Sequence, residues 1–312
     1  MRIRATVAAA TVSGALALTA FAVPAAQAAD QPTPAQARAL VQQLTAQKSG
    51  QQAKSLRAAD DTATPYQLDL SFSKVSVNGG KPIVAGTTKQ VTVPVTYTVT
   101  HGADVDIFAD DFMLDVDIYR GTIDAPDNVL IGDNWPACSV VSSTVATCKG
   151  TLDIYPQEEL INDDAGAKWK AEGYAIAFNG QDPDAADFDA SKVGVAEQYG
   201  LTAPALQRYS KLTTNAAPEP VKKGKTITVT GSLTRANWDT SKYMGYTKQA
   251  VKLQFKKKGA ASYTTVKTVT SSSTGGLKTT VTAATDGYWR YSFAGTSTTP
   301  AVTATSDFVD VQ

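Results

Sequence analysis

The chain has 312 residues, 29 of them basic and 29 acidic, with one histidine and two cysteines. One imidazole and two thiols exclude a four-ligand zinc cluster, and neither a G-x-S-x-G nor an H-E-x-x-H accompanies His101, so no nucleophilic triad or zincin is encoded. The zero net charge conceals a division: residues 66–210 hold 9 basic against 21 acidic side chains, and residues 211–312 hold 14 against 5.

Arg2 and Arg4 precede an apolar, Ala-rich run from Ala5 to Val23, and Ala26-Gln27-Ala28 offers a small-x-small cleavage site. This reads as a signal peptide over 1–28, with a secreted, extracellular mature protein from Ala29 and no membrane insertion after cleavage. A membrane anchor is the competing reading, weakened by Ser13, Gly14 and Pro24, which interrupt the run. No cysteine precedes Cys138, so no lipid attachment is expected at the cleavage site. Residues 29–64 are polar and rich in Ala and Gln. Thr33 at the N-cap and Pro34 at N1 start a short helix, in which Leu40, Val41 and Leu44 give one weak apolar face. The segment is expected to be a flexible tethering arm, with a recognition helix as the alternative.

Residues 65–209 change character. Tyr66, Leu68, Leu70 and Phe72 alternate with other residues, as do Val91, Val93, Val95, Tyr97 and Val99, and then Phe112, Leu114, Val116 and Ile118. Period-2 alternation is the mark of a half-buried strand. Cys138 and Cys148 flank a turn centred on Ser142-Ser143-Thr144, so they are read as a hairpin disulfide, which an oxidising compartment preserves. A loop this short stabilises by roughly 2–3 kcal/mol. Further strands are expected at Trp169–Phe178 and Pro204–Tyr209, with 179–203 as one long loop.

Residues 210–312 repeat the pattern. Lys222 to Leu233 sets Ile227, Val229 and Leu233 among threonines. Val251-Lys252-Leu253-Gln254-Phe255, Tyr263–Val269, Leu277–Val281, Trp289–Phe293 and Val302–Val311 follow, separated by Gly259, Gly275-Gly276 and Asp286-Gly287 turns. The expected fold is all-β: two tandem Ig-like antiparallel β-sandwiches, an acidic one and a basic one, behind the signal peptide and arm.

Residues 208–312 resemble the Ig-like modules of secreted actinobacterial proteins. The resemblance is carried by Ala217-Pro218-Glu219-Pro220-Val221-Lys222-Lys223-Gly224-Lys225, by Val251 to Phe255, by Asp286-Gly287-Tyr288-Trp289-Arg290, and by a closing segment from Thr296 to Val311. The upstream part, with Val77-Asn78-Gly79-Gly80-Lys81 and the cystine hairpin, looks like the Ig-like domain that often precedes it. The resemblance implies a fold and little about activity. A calcium-binding role is sometimes supposed for such proteins, and no catalytic residues carry over.

Chemistry concentrates in two places. Asp104, Asp106, Asp110 and Asp111 lie in one connection, and Asp182, Asp184, Asp187 and Asp189 in another. In an Ig-type sandwich these connections emerge at the same end, so eight carboxylates are expected to crowd one tip, where Ca²⁺ is the candidate ligand. Asp182 to Asp189 lacks the spacing, central Gly and terminal Glu of an EF-hand loop, so plain solvated acidity is the alternative. Trp238, Tyr243 and Tyr246 form a second, aromatic candidate for stacking on sugars, against the reading that they cover the end of the second core. Lys252, Lys256, Lys258, Lys267 and Lys278 give the second domain a basic face. It suits an anionic cell-wall polymer or another secreted protein, while nucleic acid is not expected because no aromatic residues are seen to interleave with the lysines. The sequence therefore predicts a non-enzymatic binding or scaffolding protein, with calcium binding at the acidic loops. The alternatives are a cell-envelope or self-associating protein acting through opposed charges, and a carbohydrate-binding accessory module.

Overall fold

A computed structural model describes residues 31–48 and 64–312. The signal-peptide reading of 1–28 and the linker reading from residue 51 to 63 lie outside the described residues. Helix α1 spans Pro34–Lys48, followed by β1 (Tyr66–Gln67), β2 (Leu70–Val77), β3 (Ile83–Ala85), β4 (Val91–His101), β5 (Phe112–Gly121) and β6 (Pro126–Leu130). Next come β7 (Ala137–Ser142), β8 (Val145–Ile154), β9 (Trp169–Ala177), β10 (Gly194–Thr202), β11 (Leu206–Arg208), β12 (Ser210–Leu212) and β13 (Asn215–Ala217). The chain closes with β14 (Thr226–Asn237), β15 (Lys242–Gly245), β16 (Ala250–Lys257), β17 (Thr264–Thr270), β18 (Gly276–Thr282), β19 (Gly287–Phe293), β20 (Val302–Thr303) and β21 (Asp307–Val309).

The chain forms two compact units. Of the described residues the first takes in 31–48, 64–79, Thr92–Ile154 and Lys170–Thr202; the second takes in Gly80–Val91, Tyr155–Trp169 and Ala203–Gln312. In the first unit one sheet runs β2-β4-β8-β7 and the other β1-β10-β9-β5-β6. Gly173 shows how the two sheets meet: a Cβ there would stand 2.5 Å from the Phe72 ring of the opposite sheet. Its neighbour Tyr174 must point the other way, since successive strand residues alternate faces, and its hydroxyl donates to the Pro34 carbonyl of α1 at 2.8 Å. Helix α1 thus lies as a third layer on the outer face of the β5-β9-β10 sheet.

That docking departs from the expected free arm. The start of α1 follows the sequence: Thr33 and Gln36 exchange backbone-to-side-chain bonds at 2.8 and 3.3 Å, a capping box. Ala37, Val41 and Leu44 then enter a core with Met113, Tyr174, Ile176 and Val195. The sequence gives no sign of the docking because one of its contacts is a buried charge, Arg38.

The loop expected over 179–203 is also corrected. Gly194–Thr202 forms β10, antiparallel to β9 with a bulge between Gln198 and Leu201. Its first three residues are all buried, so the period-2 signal is absent and two glycines mask the rest. The strand expected at Pro204–Tyr209 narrows to Leu206–Arg208, which pairs in parallel with Ile83–Ala85 inside the second unit. β6 carries no sequence signal because Pro126, Asp127 and Asn128 are poor strand formers.

In the second unit β14 is central. It pairs with β13 and β18 along its first half and with β12 and β15 along its second. The facing sheet runs β17-β16-β19, with β20 and β21 both on β19. Ile227, Val229, Leu233, Val251, Leu253, Trp289, Tyr291 and Phe293 fill the space between. Gly231 permits the close approach of the sheets, because a Cβ there would meet the Thr213 carbonyl at 2.2 Å and the Tyr291 ring at 2.9 Å.

Candidate functional site

The two acidic connections of the first unit do meet. Asp111 accepts from the Gly180 N–H through Oδ2 at 2.6 Å, and its carbonyl accepts from Phe178 N–H at 3.2 Å. The carboxylates around this junction are nevertheless engaged separately. Asp106 Oδ1 accepts from Phe108 N–H at 3.0 Å, and Asp182 Oδ1 from Asp184 N–H at 2.9 Å. Asp189 accepts from the Ser191 hydroxyl and N–H, which, with Lys192 beside it, hold its carboxyl below the usual range. Asp104, Asp110 and Asp187 are exposed. Among the described residues no group of three or more His, Cys, Asp or Glu side chains is gathered as a metal site. Beside the 102–111 loop a cleft of about 290 Å³ is lined by Phe108, Phe112, Trp135 and Asp110, with the Phe108 ring half exposed.

Of the three aromatic candidates Trp238 is buried, while Tyr243 and Tyr246 are half-buried. Trp238 is 1% exposed, and its indole N–H donates to the Gly86 carbonyl at 2.7 Å. Such a ring has no free face for a sugar. Tyr243 meets Tyr209 edge-on at 6.3 Å and carries the Lys211 ammonium 3.5 Å from its ring centroid. Tyr246 has the Arg235 guanidinium 3.9 Å from its ring centroid and meets the Phe293 ring edge-on at 5.7 Å. The cystine is formed as expected: Cys138 and Cys148 are opposed across β7 and β8 with Cα atoms 4.0 Å apart. His101 ends β4 with Nδ1 2.9 Å from the Gly102 carbonyl oxygen.

A different surface combines charge with aromatic rings. On the outer face of the β17-β16-β19 sheet, Lys252, Gln254 and Lys256 stand opposite Ser292, Arg290 and Tyr288 in register. The Arg290 guanidinium lies 3.6 Å from the Tyr263 centroid and donates through Nε to Gln254 Oε1 at 2.9 Å. Lys256 Nζ stands about equally far from two rings, 5.1 Å from Tyr263 and 5.0 Å from Tyr288. Tyr288 in turn packs on Phe308 at 5.0 Å. The sequence showed the lysines but not this interleaving, because Tyr263, Tyr288 and Phe308 come from three separate segments.

The group most thoroughly missed by sequence is buried. Arg38 Nε lies 2.5 Å from Asp117 Oδ2, and Nη2 lies 2.7 Å from Glu172 Oε2, with side-chain exposures of 7%, 0% and 1% for the three residues. Asp115 sits two residues along β5, its carboxyl pushed by burial up to about 8. Burial also raises Asp117 despite the opposing Arg38 charge. Asp115 Oδ2, Asp117 Oδ1 and Glu172 Oε1 are buried with no hydrogen-bond partner among the described residues. The available signal was Asp115-Val116-Asp117 inside an otherwise apolar strand, where two charges must find a partner or stay protonated.

No protein-family model matches the chain, and no curated protein matches it. Solved structures do show similarity. Domains A168–A170 of titin match at 10% identity and a TM-score of 0.22, over 80% of this chain and 68% of that one. The ectodomain of mouse nectin-like molecule 4 matches at 10% identity and 0.19, over 79% and 65%. The T6 backbone pilin of serotype M6 Streptococcus pyogenes matches at 8% and 0.21, over 77% of this chain and 52% of the pilin. Likenesses this distant leave the assignment to the strand order. In the first unit β2-β4-β8-β7 and β10-β9-β5 follow the A-B-E-D and G-F-C orders; the second unit places β13-β14-β18 against β17-β16-β19-β21. Both units are Ig-like sandwiches. The cystine joins neighbouring strands within one sheet rather than bridging the two sheets. Among the described residues no helix is long and apolar enough to cross a membrane.

Proposed function

We propose that the protein is an exported, non-enzymatic binding module whose second unit holds an anionic extracellular polymer on the outer face of its β17-β16-β19 sheet. The observation that carries this reading is the interleaving of Lys256 and Arg290 with Tyr263, Tyr288 and Phe308. Cations beside half-buried aromatic rings set positive charge next to apolar surface, a combination that suits a chain of sugar rings bearing carboxylate, sulfate or phosphate. The second unit carries 18 basic against 9 acidic residues, which draws a polyanion toward that face.

Retention on immobilised heparin, with neutral dextran and single-stranded DNA as comparisons, tests the reading. Wild-type protein is expected to bind heparin at low ionic strength and elute with salt. Lys256→Glu/Arg290→Glu should abolish retention, and Lys74→Glu in the first unit should not. Equal retention of the double variant, or stronger binding to the DNA, would overturn it. A second reading, salt-sensitive association of the acidic unit of one copy with the basic unit of another, draws support from the 17 acidic against 7 basic residues in the described part of the first unit. Its check is sedimentation at low and high salt.

A further inference from the structure

We infer that the sheet face beneath α1 is a helix-docking site that recognises a central arginine, filled here by the chain's own α1 and open to α1 of a second copy. The inference is independent of the polymer-binding face. Three observations carry it. First, α1 is held by the face rather than by itself. A 15-residue helix rich in Ala and Gln is marginal alone in water, so its order comes from Ala37, Val41 and Leu44 against Met113, Tyr174, Ile176 and Val195. Second, the face carries a chemical specification. Asp117 and Glu172 grip one guanidinium from two directions, and a fork of planar donors satisfies two carboxylates as a lysine ammonium does not. Around the fork, Tyr174 Oη, Trp135 Nε1 and Gln31 Nε2 bond to the carbonyls of Pro34, Pro32 and Asp110, fixing where the helix begins.

Third, the seat is incompletely satisfied with α1 in place. Asp115 Oδ2, Asp117 Oδ1 and Glu172 Oε1 remain buried without partners. Docking therefore removes more acidic groups from water than one arginine neutralises, and the helix is held less firmly than its apolar contacts imply.

The occupant in trans is set by identity of chemistry and by chain length. α1 of another copy makes the same contacts, and seventeen residues separate Lys48 from Tyr66. At roughly 3.3–3.6 Å per residue these span at most about 60 Å, enough to leave the chain's own sheet face. Which copy's helix fills the seat is then decided by the effective concentration of the chain's own α1 against the concentration of other copies. Crowding of copies favours exchange.

The test uses the full chain. An Arg38→Glu variant vacates the seat through charge repulsion, and a fluorescent peptide of residues 31–48 is then titrated against it. The wild-type peptide is expected to bind at least tenfold more tightly than the same peptide carrying Arg38→Glu, with the cystine and far-UV spectrum of the variant intact. Equal binding of the two peptides, or none, overturns the proposal. Should the variant fail to fold, hydrogen exchange on the wild-type chain decides the matter. The α1 amides are expected to exchange at least a hundredfold faster than those of β9, by opening independently of the sheet. Equal protection would make α1 an integral layer and end the proposal.

Discussion

The two sandwiches share a strand order and close their cores by opposite means. In the second, the buried polar side chains between residues 210 and 312 are Ser210, Ser271 and Thr299, and the large buried aromatic groups are Trp238, Trp289, Tyr291 and Phe293. Its two buried charged side chains, Asp164 and Arg208, lie outside that apolar cluster and bond to backbone, Asp164 accepting from Ile161 N–H and Arg208 Nε donating to the Ala236 carbonyl. In the first, one sheet face bears Asp117 and Glu172 and can be buried only because α1 brings Arg38 to them. The lesson is that one topology tolerates a dry core or an ionic one, but the ionic core makes folding depend on a distant segment. It also makes that core sensitive to pH, whereas the apolar core has almost nothing to titrate.

Removing the arginine breaks the comparison most sharply. Arg38→Ala leaves Asp117 and Glu172 buried without a counter-charge, and breaking such a group by deleting one partner costs about 3–5 kcal/mol. Denaturant unfolding followed by hydrogen exchange should show the loss in β5, β9 and β10, with β14, β16 and β19 unaffected. A uniform loss across both units would mean that they do not differ as described.

The pH dependence comes next in size. The Asp115 carboxyl is raised to about 8 by burial, with Arg38, Asp117, Glu172, Tyr97 and Tyr174 as its charged and titratable surroundings. In the unfolded chain it ionises near 3.9. Between those values the folded state holds a proton that the unfolded state has released. Stability therefore falls as pH rises from about 4 to about 8 and then levels with respect to this group. Asp117 and Glu197, also raised, act in the same direction. Asp115→Asn keeps the shape of the protonated acid and should flatten the fall, stabilising the first unit by about 1–3 kcal/mol at pH 8. Melting curves from pH 5 to pH 9 check it, and an unchanged slope would remove Asp115 from the account.

Strand alternation made most of the fold readable, since Val91–Val99 and Ile227–Leu233 each have one wet face and one dry face. The signal fails where both faces are covered. β10 opens with Gly194, Val195 and Ala196 all buried, and so reads as loop. The meeting of the acidic connections at Asp111 and Gly180 was also legible, because it follows from strand order alone. Trp238 was harder: an aromatic residue beside Asn237 and Asp239 looks exposed, and only the Gly86 carbonyl, some 150 residues away, explains its burial. Arg38 was illegible for the same reason. A charge on a polar helix reads as solvated until its partners, 79 and 134 residues later, are known.

The smallest effect tests the quiet half of the comparison. Tyr291 is fully buried in the second unit, and its hydroxyl donates to the Val229 carbonyl at 3.0 Å. Burial pushes that hydroxyl up to about 12, so it stays protonated throughout the ordinary range. Tyr291→Phe removes the donor and keeps the ring. β14 is paired on both sides at Val229, with Ala216 and with Thr279, so the strand holds its place without this bond. The expected cost is about 1 kcal/mol, the net worth of one hydrogen bond, and it should be the same at pH 5 and pH 9. A cost that varied with pH would reveal a titrating neighbour in a core that otherwise has none, and the contrast between the two sandwiches would then be one of degree.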